Sequence, residues 1–346
     1  MIRFNRPTIE KKDLKSVLYC MITDDLLYGA YHREFSGLLG KVLALPHVLL
    51  FSSYLFPFET LFALLKESGG GRSDGRNVVL PGVAPGRILR AVEKAGLKPL
   101  LVDIEENSLL PDPDRCRAAI TERTLCLILP QMCGIPHDMT GFRDLGVPLV
   151  EDLDGTLGAR IAGKSIGSFG HFVTMSLDDD SLVTTGAGGM LASRDRRVRS
   201  SSSVLWSDER GVDLLMSDFN ASLGLSQLKK LDALREARHR IGQFYDEAVM
   251  SSGSTLVGRE DDQEICYSRY VVRTDTPFPE VERFFRKEGL PVRRAIEPPL
   301  HRLMDLDPAG FPHTERACSS LVRLPLYPGM SRESVEGVAR AIRSIL

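Results

Sequence analysis

Short apolar runs alternate with amphipathic stretches from Arg76 onward, and this alternation predicts a parallel sheet covered by helices. Val78 to Pro81, Pro99 to Ile104, Leu125 to Pro130, Leu149 to Asp152, Phe172 to Leu177 and Gly189 to Ala192 each read as a buried strand that ends in a turn. Between the first two, Gly86 to Lys94 reads as a helix closed by Gly96, which makes a β-α-β unit. An apolar helix is expected over Phe58 to Leu65. Further on, Ser217-Asp218 can cap a helix start, and Leu225, Leu228, Leu231, Leu234, Ala237, Ile241, Phe244 and Ala248 recur at helical spacing, predicting one long helix. Such a helix is a natural strut between domains. The reading therefore places a large domain at 1–240 and a small α+β domain at 241–346, with a strand at Tyr270 to Arg273, a helix at Val281 to Lys287 closed by Gly289, and a last helix at Ser331 to Leu346.

Length agrees, since 346 residues exceed the roughly 100 to 200 of a single domain. Hydrophobic residues at 43% and charged ones at 26% allow a large core. With 44 Lys and Arg against 46 Asp and Glu, no global field points to nucleic acid or an anionic membrane. The six cysteines lack paired spacing, which argues against disulfides and zinc. No run of eighteen apolar residues occurs and the charged N-terminus lacks a signal core, so a cytoplasmic location away from membranes is expected. The glycine-rich segment 68–76 reads as a connection, because no Lys-Ser or Lys-Thr pair follows and no GxGxxG opens a helix.

Several segments, in order along nearly the whole chain, resemble the DegT/DnrJ/EryC1/StrS family of pyridoxal-phosphate (PLP) sugar aminotransferases. These are Gly29 with Glu34-Phe35, Val102-Asp103-Ile104, Gly134 to Met139, Glu151-Asp152, Gly167 to Gly170 leading to Ser176-Leu177, Thr184-Thr185-Gly186, Gly188 to Met190, Met216-Ser217-Asp218 with Leu223-Gly224 and Gln227-Leu228, and the closing Leu324 to Pro328. The resemblance implies an α/β fold of the aspartate aminotransferase type (fold type I): a large domain with a mostly parallel central sheet and a small α+β C-terminal domain. It also implies a homodimer, and transfer of an amino group from glutamate to a keto-sugar nucleotide.

A PLP enzyme of this kind needs a lysine for its Schiff base and a carboxylate against the pyridine nitrogen. Against the family's pattern, Ser176 to Ser181 puts Ser181 in the lysine's place, and a hydroxyl forms no imine and carries protons poorly near neutral pH. Lys164, Lys229 and Lys230 do not look like substitutes. The phosphate turn reads Ser52-Ser53-Tyr54, with Pro57 just inside the following helix; the ring-stacking position falls in Pro81 to Pro85, which holds no aromatic residue. Gly155, Ala187, Asp213 and Leu215 replace further family residues, and Asp178, Asp179 and Asp180 oppose a phosphate. What the resemblance leaves for a coenzyme is Ser53, Tyr54, Asp152 as pyridine partner and Ser176 as phosphate ligand, each with an ordinary structural alternative.

Three readings follow. In the first, the chain is a degenerate homologue without transaminase activity, binding no PLP or only weakly bound PLP or pyridoxamine phosphate (PMP), and keeping the fold for binding, dimerisation or regulation. In the second, it is a PLP- or PMP-dependent sugar aminotransferase or dehydratase of unusual mechanism, in cell-surface polysaccharide or deoxyaminosugar biosynthesis, with Asp154 or His137 as the base. In the third, Arg293, Arg294 and His301 line a nucleotide-sugar site. His313 and His137 read as solvated or core histidines. Partners are a second copy of the chain, or a paralogue in a mixed dimer.

Overall fold

In the computed structural model the described residues are 2–23, 26–67, 77–153, 155–200, 214–260, 262–296 and 298–346. The centre is a seven-stranded sheet of β1 (His47–Phe51), β2 (Asn77–Pro81), β3 (Lys98–Val102), β4 (Thr124–Pro130), β5 (Leu149–Asp152), β8 (Phe172–Ser176) and β9 (Gly189–Ser193). Two-residue strands β6 (Arg160–Ile161) and β7 (Lys164–Ser165) pair with β10 (Gln263–Glu264) in a minor sheet. Strand order in the main sheet is β1-β9-β8-β5-β4-β2-β3, parallel from β3 through β8 and antiparallel at β9 and β1. Every residue of β4 is buried, as a central parallel strand covered on both faces requires.

The helices of this part are α1 (Lys11–Ile22), α2 (Ala30–Leu43), α3 (Phe56–Glu67), α4 (Gly86–Lys94), α5 (Pro113–Ala119) and α6 (Asp218–Leu228), followed by α7 (Leu231–Ser251). The predicted β-α-β unit is present: β2, α4 and β3 run parallel with Asn77 beside Lys98, and Gly96 turns the chain at φ +68°. Pro57 sits in the first turn of α3, where its missing N–H costs nothing.

The single long helix expected from Asp218 onward is two helices. The chain breaks at Lys229-Lys230, where Lys230 leaves helical geometry (φ −117°, ψ 22°) while its ammonium reaches the buried Asp13 carboxylate at 2.7 Å. Asp13 also accepts from Ser226 Oγ (2.7 Å) and Gln227 Nε2 (2.9 Å), so one buried carboxylate ties α1 to the end of α6. Strand β1 and the minor sheet were not anticipated from the pattern.

Beyond α7 come β11 (Tyr270–Arg273), α8 (Phe278–Lys287), β12 (Arg293–Arg294), α9 (Leu300–Leu303), α10 (Pro312–Ser320), β13 (Leu321–Leu324) and α11 (Arg332–Ile345). Strands β11, β13 and β12 form an antiparallel sheet. Leu231 and Leu234 of α7 pack into the core of the main sheet, whereas Tyr245, Ala248 and Val249 pack with Phe285, Val338 and Ile342 into a separate core. Helix α7 thus passes from one core to the other. Among the described residues no helix is long and apolar enough to cross a membrane.

Candidate functional site

The parallel strands aim their C-terminal ends at one edge of the main sheet, where ligands bind in folds of this class. Asp152 ends β5 there, fully buried, and accepts from Thr174 Oγ1 at 2.8 Å. Its neighbour Glu151 serves the fold: it accepts from the backbone of Gly167 (2.8 Å), Phe169 (3.1 Å) and Gly170 (3.0 Å) and from Gln131 Nε2 (3.1 Å). Burial pushes the Glu151 carboxyl above its usual range despite those donors.

At the end of β8 the sequence turns through the three aspartates. Ser176 Oγ donates to Asp178 at 2.8 Å, and Ser181 Oγ donates to the Ser176 carbonyl at 2.9 Å. Asp178 pairs with Arg87 from the first turn of α4, and the Arg87 guanidinium lies over the Tyr54 ring, 4.3 Å from its centroid. Tyr54, Ser176 and Ser181, three residues the resemblance assigns to the coenzyme, are therefore brought together, but they engage one another through Arg87 and Asp178. Ser53 is nearby, its Oγ accepting from Leu55 N–H at 3.4 Å. Gly189 is needed where it stands, because a Cβ would lie 2.8 Å from the Tyr54 Cα and 3.0 Å from the Ser53 carbonyl.

Asp180 faces the other way and holds both terminal nitrogens of Arg323 on β13 at 2.8 Å, with Arg269 at 3.5 Å. Burial alone would raise its pKa, but the Arg323 hydrogen bonds and the charges of Arg323, Arg269 and Arg238 outweigh that and hold it below the carboxylate range. The acidic turn, expected from sequence to be solvated, is instead bound at Asp178 and Asp180 to arginines of two other elements.

A cleft of about 610 Å³ opens between α4 and the small sheet, with Val83, Arg87, Arg90, Met132, Arg269 and Arg323 among its walls. Buried Val83 belongs to the segment where a stacking ring would stand. No lysine lines the cleft, nor do Ser53, Tyr54, Asp152, Ser176 or Ser181. Lys164 instead donates to Thr140 Oγ1 (2.9 Å), and Lys229 and Lys230 are held by Glu34 and Asp13. The residues present do not fit a covalently held PLP: the imine nitrogen has no source at position 181, and Arg87 packs on Tyr54 beside the phosphate turn.

The remaining candidates lie outside this cleft. Arg293 stacks on Phe4 (4.4 Å), and Arg294 covers Phe278 (4.4 Å) and donates to the Cys318 carbonyl (3.3 Å). His301 is buried, stacked on Phe311 and bonded through Nε2 to Glu315 at 2.6 Å. His137 is enclosed and burial pushes it down to about 4, so it stays neutral. His313 is seen through its backbone N–H, which donates to Asp103 at 3.1 Å. Asp154, Asp213 and the segment 68–76 lie outside the described residues. Gly155 has φ +89°, and a Cβ there would meet Ser268 Oγ at 2.7 Å, so this backbone excludes the side chain that the family pattern carries. Sequence reasoning missed Arg87, Arg269 and Arg323; they sit on separate elements, and no spacing signals that they converge.

The sequence model of the DegT/DnrJ/EryC1/StrS aminotransferase family matches residues 7–343. The chain is 26% identical to the spore coat polysaccharide biosynthesis protein SpsC of Bacillus subtilis, over 99% of this chain and 96% of that one. It is 28% identical to a dTDP-4-dehydro-2,3,6-trideoxy-D-glucose 4-aminotransferase of Saccharopolyspora spinosa, over 98% and 95%. Among solved structures, the aminotransferase TlmJ of Streptoalloteichus hindustanus superposes with a TM-score of 0.86 at 26% identity, covering 99% of this chain and 98% of the other. Helicobacter pylori PseC, an aminotransferase involved in the biosynthesis of pseudoaminic acid, gives 0.87 over 99% and 98%, and at 18% identity speaks for the fold alone.

Proposed function

Because the chain belongs to the DegT/DnrJ/EryC1/StrS aminotransferase family, we propose that it acts on a nucleotide sugar in polysaccharide or deoxyaminosugar biosynthesis, in the cytoplasm, without a lysine-tethered coenzyme. The names of its relatives favour a working part in sugar biosynthesis over a fold that has lost all chemistry. Loss of the lysine route rests on this chain's own residues. The observation that carries it is position 181: the hydroxyl there is bonded to the Ser176 carbonyl, and the turn around it is fastened by Arg87 and Arg323.

Two forms of this reading are distinguished by one assay. Asp152 supports the first: a fully buried carboxylate, oriented by Thr174, is kept where the family's pyridine partner stands. In that form PMP binds without a covalent link and supplies the amine, while Asp152 favours a protonated pyridine nitrogen. In the second form the site does no chemistry and the protein serves binding or regulation. Purified protein supplied with PMP and a keto-sugar nucleotide is expected to turn over slowly in the first form; no product and no retained PMP would leave only the second.

Assembly as a dimer, with itself or with a paralogue, belongs to the same proposal. Leu14, Leu18 and Ile22 follow one another at helical spacing on α1, 56%, 55% and 78% exposed, with Tyr19 at 62% beside them. Four large apolar side chains on one surface helix, with Leu27 and Phe219 also exposed, suit a face that another chain covers.

A further inference from the structure

We propose that the cleft between α4 and the small sheet binds a diphosphate ester with a flat or apolar body, held by Arg269 and Arg323 on one wall and Arg87 and Arg90 on the other. This deepens the nucleotide-sugar reading by assigning the recognising groups. They are not residues the family resemblance supplies, and they stand apart from Ser53 and Ser176, which do not line the cleft.

The first argument is charge placement. Arg323 gives both terminal nitrogens to Asp180, yet its Nε is buried with no hydrogen-bond partner. Burial, then the nearby Arg269 charge, lowers the affinity of Arg323 for its proton, against the opposing pull of Asp180. Arg238 behind it is pushed down to about 10, by burial first and also by Arg323. Guanidinium groups thus crowd around Asp180 at the cleft, and an added anion would relieve that crowding. Arg87 and Arg90 add cationic groups from α4, with Glu93 the acidic residue in the lining.

The second argument is shape. Guanidinium groups bind phosphoryl oxygens in pairs, and groups on two facing walls suit an anion with two phosphoryl units better than a single carboxylate. Between them the walls are apolar, with Val83, Met132, Ile296 and Leu303, which suits a planar base or other apolar group. About 610 Å³ is within the ordinary range for a small-molecule site.

Calorimetry on the full chain, with uridine diphosphate and separately with inorganic diphosphate, tests this. Both are expected to bind, the nucleotide more tightly, and both to weaken with salt. R87Q/R90Q, on partly exposed positions, and R323M/D180N, which removes both charges of the ion pair together, should each weaken nucleotide binding at least about tenfold. R294Q, outside the cleft, should leave it unchanged, with folding of every variant checked by thermal melting. No heat from either ligand, no advantage of the nucleotide over inorganic diphosphate, or parental affinity in either double variant would overturn the assignment. None of these results bears on whether PLP can be tethered, which a separate trapping measurement decides.

Discussion

A hydroxyl at position 181 differs from the expected amine in what it can bond to and in what it can leave behind. Ser181 reaches the Ser176 carbonyl and stops there, and the space a lysine would have crossed is closed by the Asp178–Arg87 pair against Tyr54. Restoring the amine alone should therefore fail. In S181K the new ammonium would sit beside Asp178 and Asp180 and stay protonated, so borohydride trapping is expected to yield no PLP adduct; S181K/R87A/D178A, with the plug removed, should yield one. Asp180 gives a second prediction at this scale. Its carboxyl is held below the usual 3.8, so the ion pair stabilises the fold at all pH values above the ordinary carboxylate range and loses its contribution as acidification passes the folded pKa. The Asp180 side chain is 33% exposed and that of Arg323 14%, so D180N should cost only about 2 kcal/mol at neutral pH, and the difference from the parent should vanish in acid. Denaturant melts at both pH values measure this.

Close approach between elements explains why certain glycines stand inside helices. Gly242 of α7 faces Tyr267, whose ring would lie 2.1 Å from an added Cβ, and Tyr267 is fixed by its hydroxyl bond to Asp246 at 2.6 Å. G242A is expected to destabilise by at least about 2 kcal/mol in thermal or chemical unfolding, despite alanine's better helix propensity. The parallel strands and α4 were legible in the sequence because buried runs and a glycine cap are local signals. The break between α6 and α7 was not, since its cause is the long-range pull of Asp13 on Lys230. The site divides the same way. Ser176, Asp152 and the missing lysine are readable by position, whereas Arg87, Arg269 and Arg323 become neighbours only once α4, β11 and β13 have packed.

For the whole molecule, the apolar face of α1 predicts self-association. Light scattering behind size exclusion should give a dimer for the parent and a shift toward monomer for L18D/Y19D, both of whose positions are more than half exposed. An unchanged mass would move the interface elsewhere.

The central claim, that this aminotransferase-family chain has no amine placed to hold its family's coenzyme, is tested most directly by covalent trapping. The protein is mixed with one equivalent of PLP, reduced with borohydride, and examined by intact mass and peptide mapping. The account predicts no stoichiometric pyridoxyl adduct on any single lysine. A full adduct on one lysine at the ends of β5 and β8 would contradict it.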